Sequence, residues 1–424
     1  MRGLGFLFPI SPTRIAGAIA GQSFLVIFGL FKNDCDICVA IFTQRKIRNT
    51  MATPIMNPFL ITGYVAPKYF CDRVSETNAI LDTLQNGRNI TLTSPRRLGK
   101  TGLIKHIFYQ LKKQGATVIY IDLYPTESLN DFTQAFASAV LGQLDSNPIK
   151  ALKKIATVIK GLRPYLTVDP ATNQPKVGLD IAIGTETSTL DQVFNYLKRS
   201  EKQCYIAFDE FQQIANYPEK NIEALLRSYI QDLHNTRFIF SGSQSHMLGE
   251  MFLSPKRPFY QSTSEKSIGT INENAYYKFS AAFFKKQGRI LPEDVFHLIY
   301  VMYEGYTWYV QMILNRLYAK VDRAIDADLV QECVEDILTE NEFYYQHLLQ
   351  VYPKGQVKLV KAIAKEKKVK EITAGAFIAK YGLTATSSVK SSLARMLDEE
   401  IVYHAADGYL VYDRFFGQWL DRTF

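Results

Sequence analysis

Cysteine is scarce in this chain, with five residues in 424, odd in number and scattered. That excludes a disulfide framework and points to a reducing compartment, so the protein is expected to be cytoplasmic. Cys35 and Cys38 form a C-x-x-C, but no second pair lies at zinc-ligand spacing, and the pair reads as chance and not as a metal site. No nuclease, protease or kinase motif appears. The formal net charge, +8, is small for this length and permits a polyanionic partner without demanding one. Charged residues make up 21% and hydrophobic ones 47%, a globular composition that requires no long disordered tract. One apolar run stands out, residues 15–31, uncharged and preceded by Arg2 and Arg14. It has the size of a signal h-region or a short membrane anchor, without a convincing cleavage site. The preferred reading is that translation begins at Met51 and that residues 1–50 are a leader or an artefact. Everything interpretable starts at Asn57.

What is present begins with residues 89–101, NITLTSPRRLGKT. Residues 89–93 have the Ile, Leu and Thr content of a buried strand, and residues 102–111 carry apolar side chains at helical spacing. Between them, Ser94, Pro95, Arg96, Arg97, Leu98, Gly99, Lys100 and Thr101 nearly spell G-x-x-x-x-G-K-T, with Gly102 next. In such a loop the backbone N–H groups and the helix N-terminus face phosphates, the lysine reaches the β/γ oxygens and the hydroxyl ligates Mg²⁺. Ser94 stands where the pattern has glycine. A solvated turn with an ordinary lysine fits the same letters, so a second site is needed. Residues 204–210, CYIAFDE, supply it: an apolar run ending in Asp209, placed for the Mg²⁺ shell, and Glu210, placed to orient or deprotonate a water. Alone it is equally a strand ending in solvated acids; the order of the two motifs is what joins them.

Strands alternate with helices through this region. Strands are expected at residues 117–122, 237–240 and 267–271, and helices from Ser75 and at 128–144, 190–197, 221–233 and 244–252. This implies a parallel, doubly wound sheet with its ligand at the strand C-termini. Residues 148–161 read as a basic helix, and 165–168 with 176–183 as a hairpin insertion joined through Asp169-Pro170. Ser243 follows the 237–240 strand, where a polar side chain senses the γ-phosphate or the attacking water; a turn with hydroxyl caps is the alternative. Residues 273–350 are helical and aromatic, a lid whose rings are expected in a core. Residues 351–400 hold ten Lys/Arg against five acids, +5. Helices are expected at 356–365, 374–381 and 387–397, the last with Thr386 as N-cap, followed by a hairpin about Asp407-Gly408. That is a winged helix-turn-helix, with Ser388, Lys390, Ser391 and Arg395 facing a DNA groove, or a protein-docking module of the same shape.

With TSPRRLGKT, CYIAFDE, FIFSGS, EGYTWYVQ and GYLVYDRFFGQWL, the sequence resembles the archaeal-type AAA+ ATPase family of prokaryotes, related to archaeal replication initiators and STAND switches, over about residues 57–424. Many members have glycine at the Ser94 position and F-x-G-R where this chain has Asp72-Arg73, and relatives with a switch role often have a proline after the lid glycine where it has Gly305-Tyr306-Thr307. The resemblance implies ATP binding and hydrolysis. It also implies that Arg257 reaches a neighbour's γ-phosphate in a homo-oligomer, although a surface Lys-Arg loop reads equally well.

The expected architecture is an α/β P-loop NTPase parallel sheet over residues 57–271 with a hairpin insertion at about 145–185, a helical lid at 272–350 and a winged helix at 351–424. The expected function is a Mg²⁺-dependent ATP-hydrolysing switch that binds duplex DNA through the winged helix. Lys100, Glu210 and Arg257 are the catalytic candidates. The alternatives are a nucleotide-gated scaffold that docks proteins without hydrolysis and, if residues 1–50 exist in the cell, a membrane-linked signalling scaffold.

Overall fold

The computed structural model describes residues 57–144, 161–168, 175–243, 245–405 and 407–424, together with three short strands nearer the N-terminus. Those strands are β1 (Arg14–Ile19), β2 (Gln22–Ile27) and β3 (Ile41–Phe42), paired antiparallel in a unit spanning residues 1–56. The uncharged run of residues 15–31 is therefore seen in part as a hairpin, and among the described residues no helix is long and apolar enough to cross a membrane. Cys35 and Cys38, all but the last residue of the basic helix expected at 148–161 and the Asp169-Pro170 connection lie outside the described residues.

Residues 57–424 form the second unit, and its centre is a five-stranded sheet. The strands are β4 (Ile90–Thr93), β5 (Thr117–Asp122), β8 (Cys204–Asp209), β9 (Thr236–Gly242) and β10 (Ser264–Ser267), in the spatial order β10-β4-β9-β8-β5, all parallel. Strand β8 is buried throughout, which is why it reads as an unbroken apolar run. Its alternating side chains serve two cores. Ile206 and Phe208 pack beneath α3 (Leu129–Leu144), α4 (Glu186–Lys198), α5 (Ile222–Gln231) and α6 (Ser245–Leu253); Tyr205 and Ala207 pack beneath α1 (Val74–Gln85) and α2 (Lys100–Lys113). The insertion is an antiparallel hairpin of β6 (Leu162–Val168) and β7 (Pro175–Ile181).

Two expectations about the sheet change. The last strand is Ser264–Ser267 and not 267–271: as an edge strand bonded only to β4, with residues alternately exposed, it lacks the apolar run that marks a central strand. Ser241 and Gly242 belong to β9 and not to a turn after it.

The remaining helices are α7 (Glu273–Lys286), α8 (Glu293–Met302), α9 (Thr307–Ala319), α10 (Ala327–Glu340) and α11 (Glu342–Val351), then α12 (Lys354–Glu366), α13 (Gly375–Lys380) and α14 (Thr386–Asp398). The expected hairpin forms from β11 (Val402–Ala405) and β12 (Gly408–Val411), but Gly408 pairs with Ala405 and opens β12, so it lies in the strand and not in the turn. Thr386 is not the N-cap of α14. Ala385 holds that place in extended conformation, and no side chain caps the helix. The sequence reading missed a last helix, α15 (Arg414–Thr423), whose Phe415, Phe416, Trp419 and Leu420 form one apolar face and whose Asp413 accepts bonds from the Phe415 and Phe416 amides.

Lid and winged helix are not separate cores. Ile313, Leu329 and Tyr345 belong to the same continuous apolar cluster as Leu359, Leu393 and Trp419, and the ring of Tyr345 lies 5.5 Å from that of Trp419. We expect Trp419→Ala to cost about 3–5 kcal/mol and to lower the urea midpoint of lid and winged helix together. Separate transitions for the two, followed by near-UV circular dichroism and tryptophan fluorescence, would contradict a shared core.

Candidate functional site

The parallel register brings the C-terminal ends of the strands level: Thr93 lies beside Gly242, and Asp122 beside Asp209. The loops that leave these ends therefore converge. From β4 the chain enters residues 94–99 and turns into α2. Arg97 (φ 69°) and Gly99 (φ 92°) sit in the left-handed region, which at position 99 requires glycine. No side chain caps α2, so its first N–H groups face outward, the arrangement that receives anions.

Lys100, Thr101, Asp209, Glu210 and Ser243 come together here as the sequence reading anticipated. The buried Lys100 ammonium donates to the Ser94 carbonyl at 2.9 Å and reaches its hydroxyl at 3.4 Å. Burial pushes its pKa below the ordinary value, and the Glu210 and Asp209 charges oppose that fall. Ser94, in the place of glycine, is a hydrogen-bond partner of the lysine. The Thr101 hydroxyl donates to Asp209 Oδ2 at 2.7 Å. Two groups not among the candidate site residues share that carboxylate: Tyr120, donating at 2.6 Å, and Ser241. Burial first, then the Asp209 charge, raises the Tyr120 pKa and keeps the phenol a donor. Tyr120 was legible only as a strand residue, and Ser241 only as part of a supposed turn. Hydroxyl and carboxylate together are the hard oxygen donors that suit Mg²⁺. Among the described residues no cluster of three His, Cys, Asp or Glu exists, so substrate oxygens and water must complete any such shell.

Glu210 turns back at φ 53°. Its Oε2 accepts from Ser243 N at 3.0 Å, from Ser243 Oγ at 2.8 Å and from Gln212 Nε2 at 2.6 Å. Ser243 thus holds the acid in this structure. Beside these groups runs a cleft of about 480 Å³, polar where Arg96 to Gly102 line it and apolar where Tyr64, Val65, Phe70, Ile271 and Trp308 do. Arg73 underpins the loop: buried, it donates to the carbonyls of Leu98 (2.8 Å) and Gly269 (2.9 Å) and so ties the loop to the sheet edge.

Arg96 and Arg97 line the cleft and also reach the C-terminal module. Arg96 pairs with Glu400 at 2.6 Å, and its backbone N–H donates to the Tyr412 hydroxyl at 3.1 Å. Arg97 pairs with Asp413 at 2.9 Å, donates to Tyr309 and stacks its guanidinium 4.3 Å from the Trp308 ring. The amide of Trp308 donates back to the Arg97 carbonyl at 3.0 Å. Lid aromatics expected only in the core therefore also touch the site.

Other candidates lie elsewhere. Arg257 is ion-paired with Glu223 of its own chain at 2.6 Å. Ser388, Lys390, Ser391 and Arg395 are exposed along α14, but Arg395 pairs with Glu399 at 2.7 Å. The +5 of residues 351–400 is partly spent in such pairs, including Lys365 with Asp421, Lys368 with Glu304 and Asp407, and Lys380 with Glu366.

A parallel sheet with this loop between strand and helix, opposed by an acidic strand end, defines the P-loop NTPase class, here with a helical lid and a winged helix. Residues 70–313, more than half of the chain, match the family described as "ATPase domain predominantly from Archaea", and the chain belongs to that family. Residues 343–422 match a family described as "Probable winged helix domain". That match begins in α11, whose Tyr345 packs on Phe416 and Trp419. Among solved structures the chain is similar to the Walker-type ATPase paby2304 of Pyrococcus abyssi, at 16% identity and TM-score 0.59, covering 86% of this chain and 99% of that one. It is also similar to the ORC2 protein of Aeropyrum pernix in ADPNP-ADP complexes, at 15% identity and TM-score 0.55, covering 87% and 96%. These likenesses show the fold. No curated protein matches the sequence.

Proposed function

We propose that this chain is an ATP-driven switch in which the loop that takes the phosphates also holds the winged helix. The observation that carries this is the double tether of Arg96 to Glu400 and Tyr412 and of Arg97 to Asp413. ATP fits the cleft with its base on the apolar side, near Tyr64 and Phe70, and its phosphates along residues 94–102. Lys100 and the backbone N–H groups of Arg96 to Thr101 take the β- and γ-phosphates, helped by the N-terminus of α2. Thr101 and Asp209 would hold Mg²⁺, which supplies charge neutralisation on the phosphate oxygens.

In hydrolysis, Glu210 orients a water whose oxygen bonds to the γ-phosphorus. The bond from that phosphorus to the β,γ-bridging oxygen breaks, and ADP leaves with the electron pair. The water's proton passes to Glu210 and then to the phosphate. Ser243 senses the γ-phosphate through its bonds to Glu210. Arg257 acts in trans in a homo-oligomer, where it exchanges Glu223 for a neighbour's phosphate.

The Arg96 N–H is one of the donors a phosphate requires, and the Tyr412 hydroxyl occupies it in this structure. Nucleotide and winged helix thus compete for one loop, and duplex DNA is the partner we assign to the released module. A second reading, in which the module docks a protein and hydrolysis is slight, is favoured by one observation: the outward face of α14 carries Ser387, Ser388 and Ser391 and only Lys390 as an unpaired cation among the described residues.

Three outcomes follow in solution. Lys100→Ala should abolish ATP binding in calorimetry, whereas Glu210→Gln should bind ATP and lose turnover; wild-type turnover in Glu210→Gln sinks the assignment of the water-orienting acid. Tyr412→Phe should tighten ATP binding about fivefold, the worth of one hydrogen bond at about 1 kcal/mol, and weaker binding would mean that Tyr412 supports the loop's receptive shape. DNA binding by the full chain should fall with salt at a log–log slope of roughly −5, because Lys354, Lys358, Lys361, Lys367, Lys370 and Lys390 have no carboxylate ion pair among the described residues. Replacing Lys390 should reduce that slope by about one. No binding to duplex DNA at low salt, with or without ATP, leaves the protein-docking reading.

A further inference from the structure

We propose that Gln212 is a positioning residue, which fixes the Glu210 carboxylate so that one oxygen is held by the protein and the other meets the attacking water. The proposal rests on the reading of Glu210 as the water-orienting acid and goes beyond it by naming what orients the acid.

Gln212 lies in the short 3-10 turn Phe211–Asn216 that follows β8, and the residue is 5% exposed. Its Nε2 donates to Glu210 Oε2 at 2.6 Å, and both donors of Ser243 end on the same oxygen. Three donors on Oε2 stop rotation of the carboxylate about its last bond. Glu210 lines the cleft, and Oε1 is the oxygen we assign to the water. A charge-assisted bond of this length is among the stronger ones available to an amide.

Two further features mark the amide as retained for its donor. The Gln212 carbonyl oxygen is buried without a hydrogen-bond partner, a penalty that an apolar side chain of similar size would not carry. Across from it, β9 has glycine at position 242, where a Cβ would lie 2.0 Å from Gln212 Oε1 and 3.0 Å from Cδ. Gly242 is not among the residues with positive φ, so it is the space taken by Gln212 and not backbone conformation that requires glycine here. The strand that leads to Ser243 is thus shaped to admit Gln212, and the two donate to one oxygen.

The test is steady-state ATP hydrolysis by the full chain, with Glu210→Gln, Gln212→Glu, Gly242→Ala and the double variants. Gln212→Glu keeps the shape but replaces the donor with a second carboxyl against Glu210, and two carboxylates in such contact share a proton. We expect kcat to fall about 10–100-fold, KM for ATP to stay within about twofold, and the acidic limb of the kcat–pH profile to rise by about one unit or more. Gly242→Ala displaces the same amide from the other side and should repeat the loss of kcat without loss of ATP binding, which keeps the test usable if Gln212→Glu folds poorly. In a Glu210→Gln background neither change should lower turnover further, because the groups act as one unit. If Gln212→Glu and Gly242→Ala keep wild-type kcat and pH profile while Glu210→Gln is inactive, Gln212 is packing alone and the proposal fails. If Glu210→Gln is fully active, or the wild type has no turnover, the reading of Glu210 fails and takes the proposal with it.

Discussion

The hydrogen bond from Thr101 to Asp209 is the constraint on which the rest depends. It joins the first turn of the helix after one strand to the end of a strand two places away in the sheet, with β9 lying between them. For a 2.7 Å contact to span that distance, the register of three parallel strands must be right, and any slip by one residue would turn Asp209 into the core. Tyr120 and Ser241 add donors from the strands on either side of β8, so the carboxylate is fixed by four elements of the fold. A sheet built this way presents hard oxygen ligands and a helix N-terminus at one edge.

Around that edge the chain uses two loop residues twice. Residues 96–101 line the cleft, while the side chains of Arg96 and Arg97 also reach the C-terminal module. Arg97 pays for its left-handed backbone conformation with an ion pair, a bond to Tyr309 and a stacked indole. Because the lid and winged helix share one apolar core, a force applied to Asp413 or Glu400 is felt by both. This is the structural basis for reading the molecule as a switch and not as a loop and a module joined by a tether.

Much of this was legible in the sequence, and what was not has identifiable reasons. Central strands such as β8 announce themselves because burial on both faces demands continuous apolar residues, and G-K-T with D-E states its own chemistry. Strand β10, reading SEKS, is on the sheet edge and half-exposed, so no periodicity marks it. Helix α15 carried a readable signal, Phe415, Phe416, Trp419 and Leu420 behind an Asp413 cap, which a hairpin-centred reading passed over. The side-chain partners of Arg96 and Arg97 were not legible, because nothing in a linear sequence says that Glu400 and Asp413, some three hundred positions away, will stand beside them. Gln212 was equally silent: a glutamine two residues after an acidic pair becomes meaningful only when Gly242 and Ser243 are seen next to it.

The central claim is that nucleotide and winged helix compete for the same loop, and hydrogen–deuterium exchange of the full chain with and without Mg²⁺ and ATP reads both partners at once. Exchange should slow at residues 94–101 and accelerate at residues 400–413 as the Tyr412, Glu400 and Asp413 contacts are released. Slowing at the loop with unchanged or slower exchange at residues 400–413 would contradict the competition and leave the arginine contacts as fixed structure.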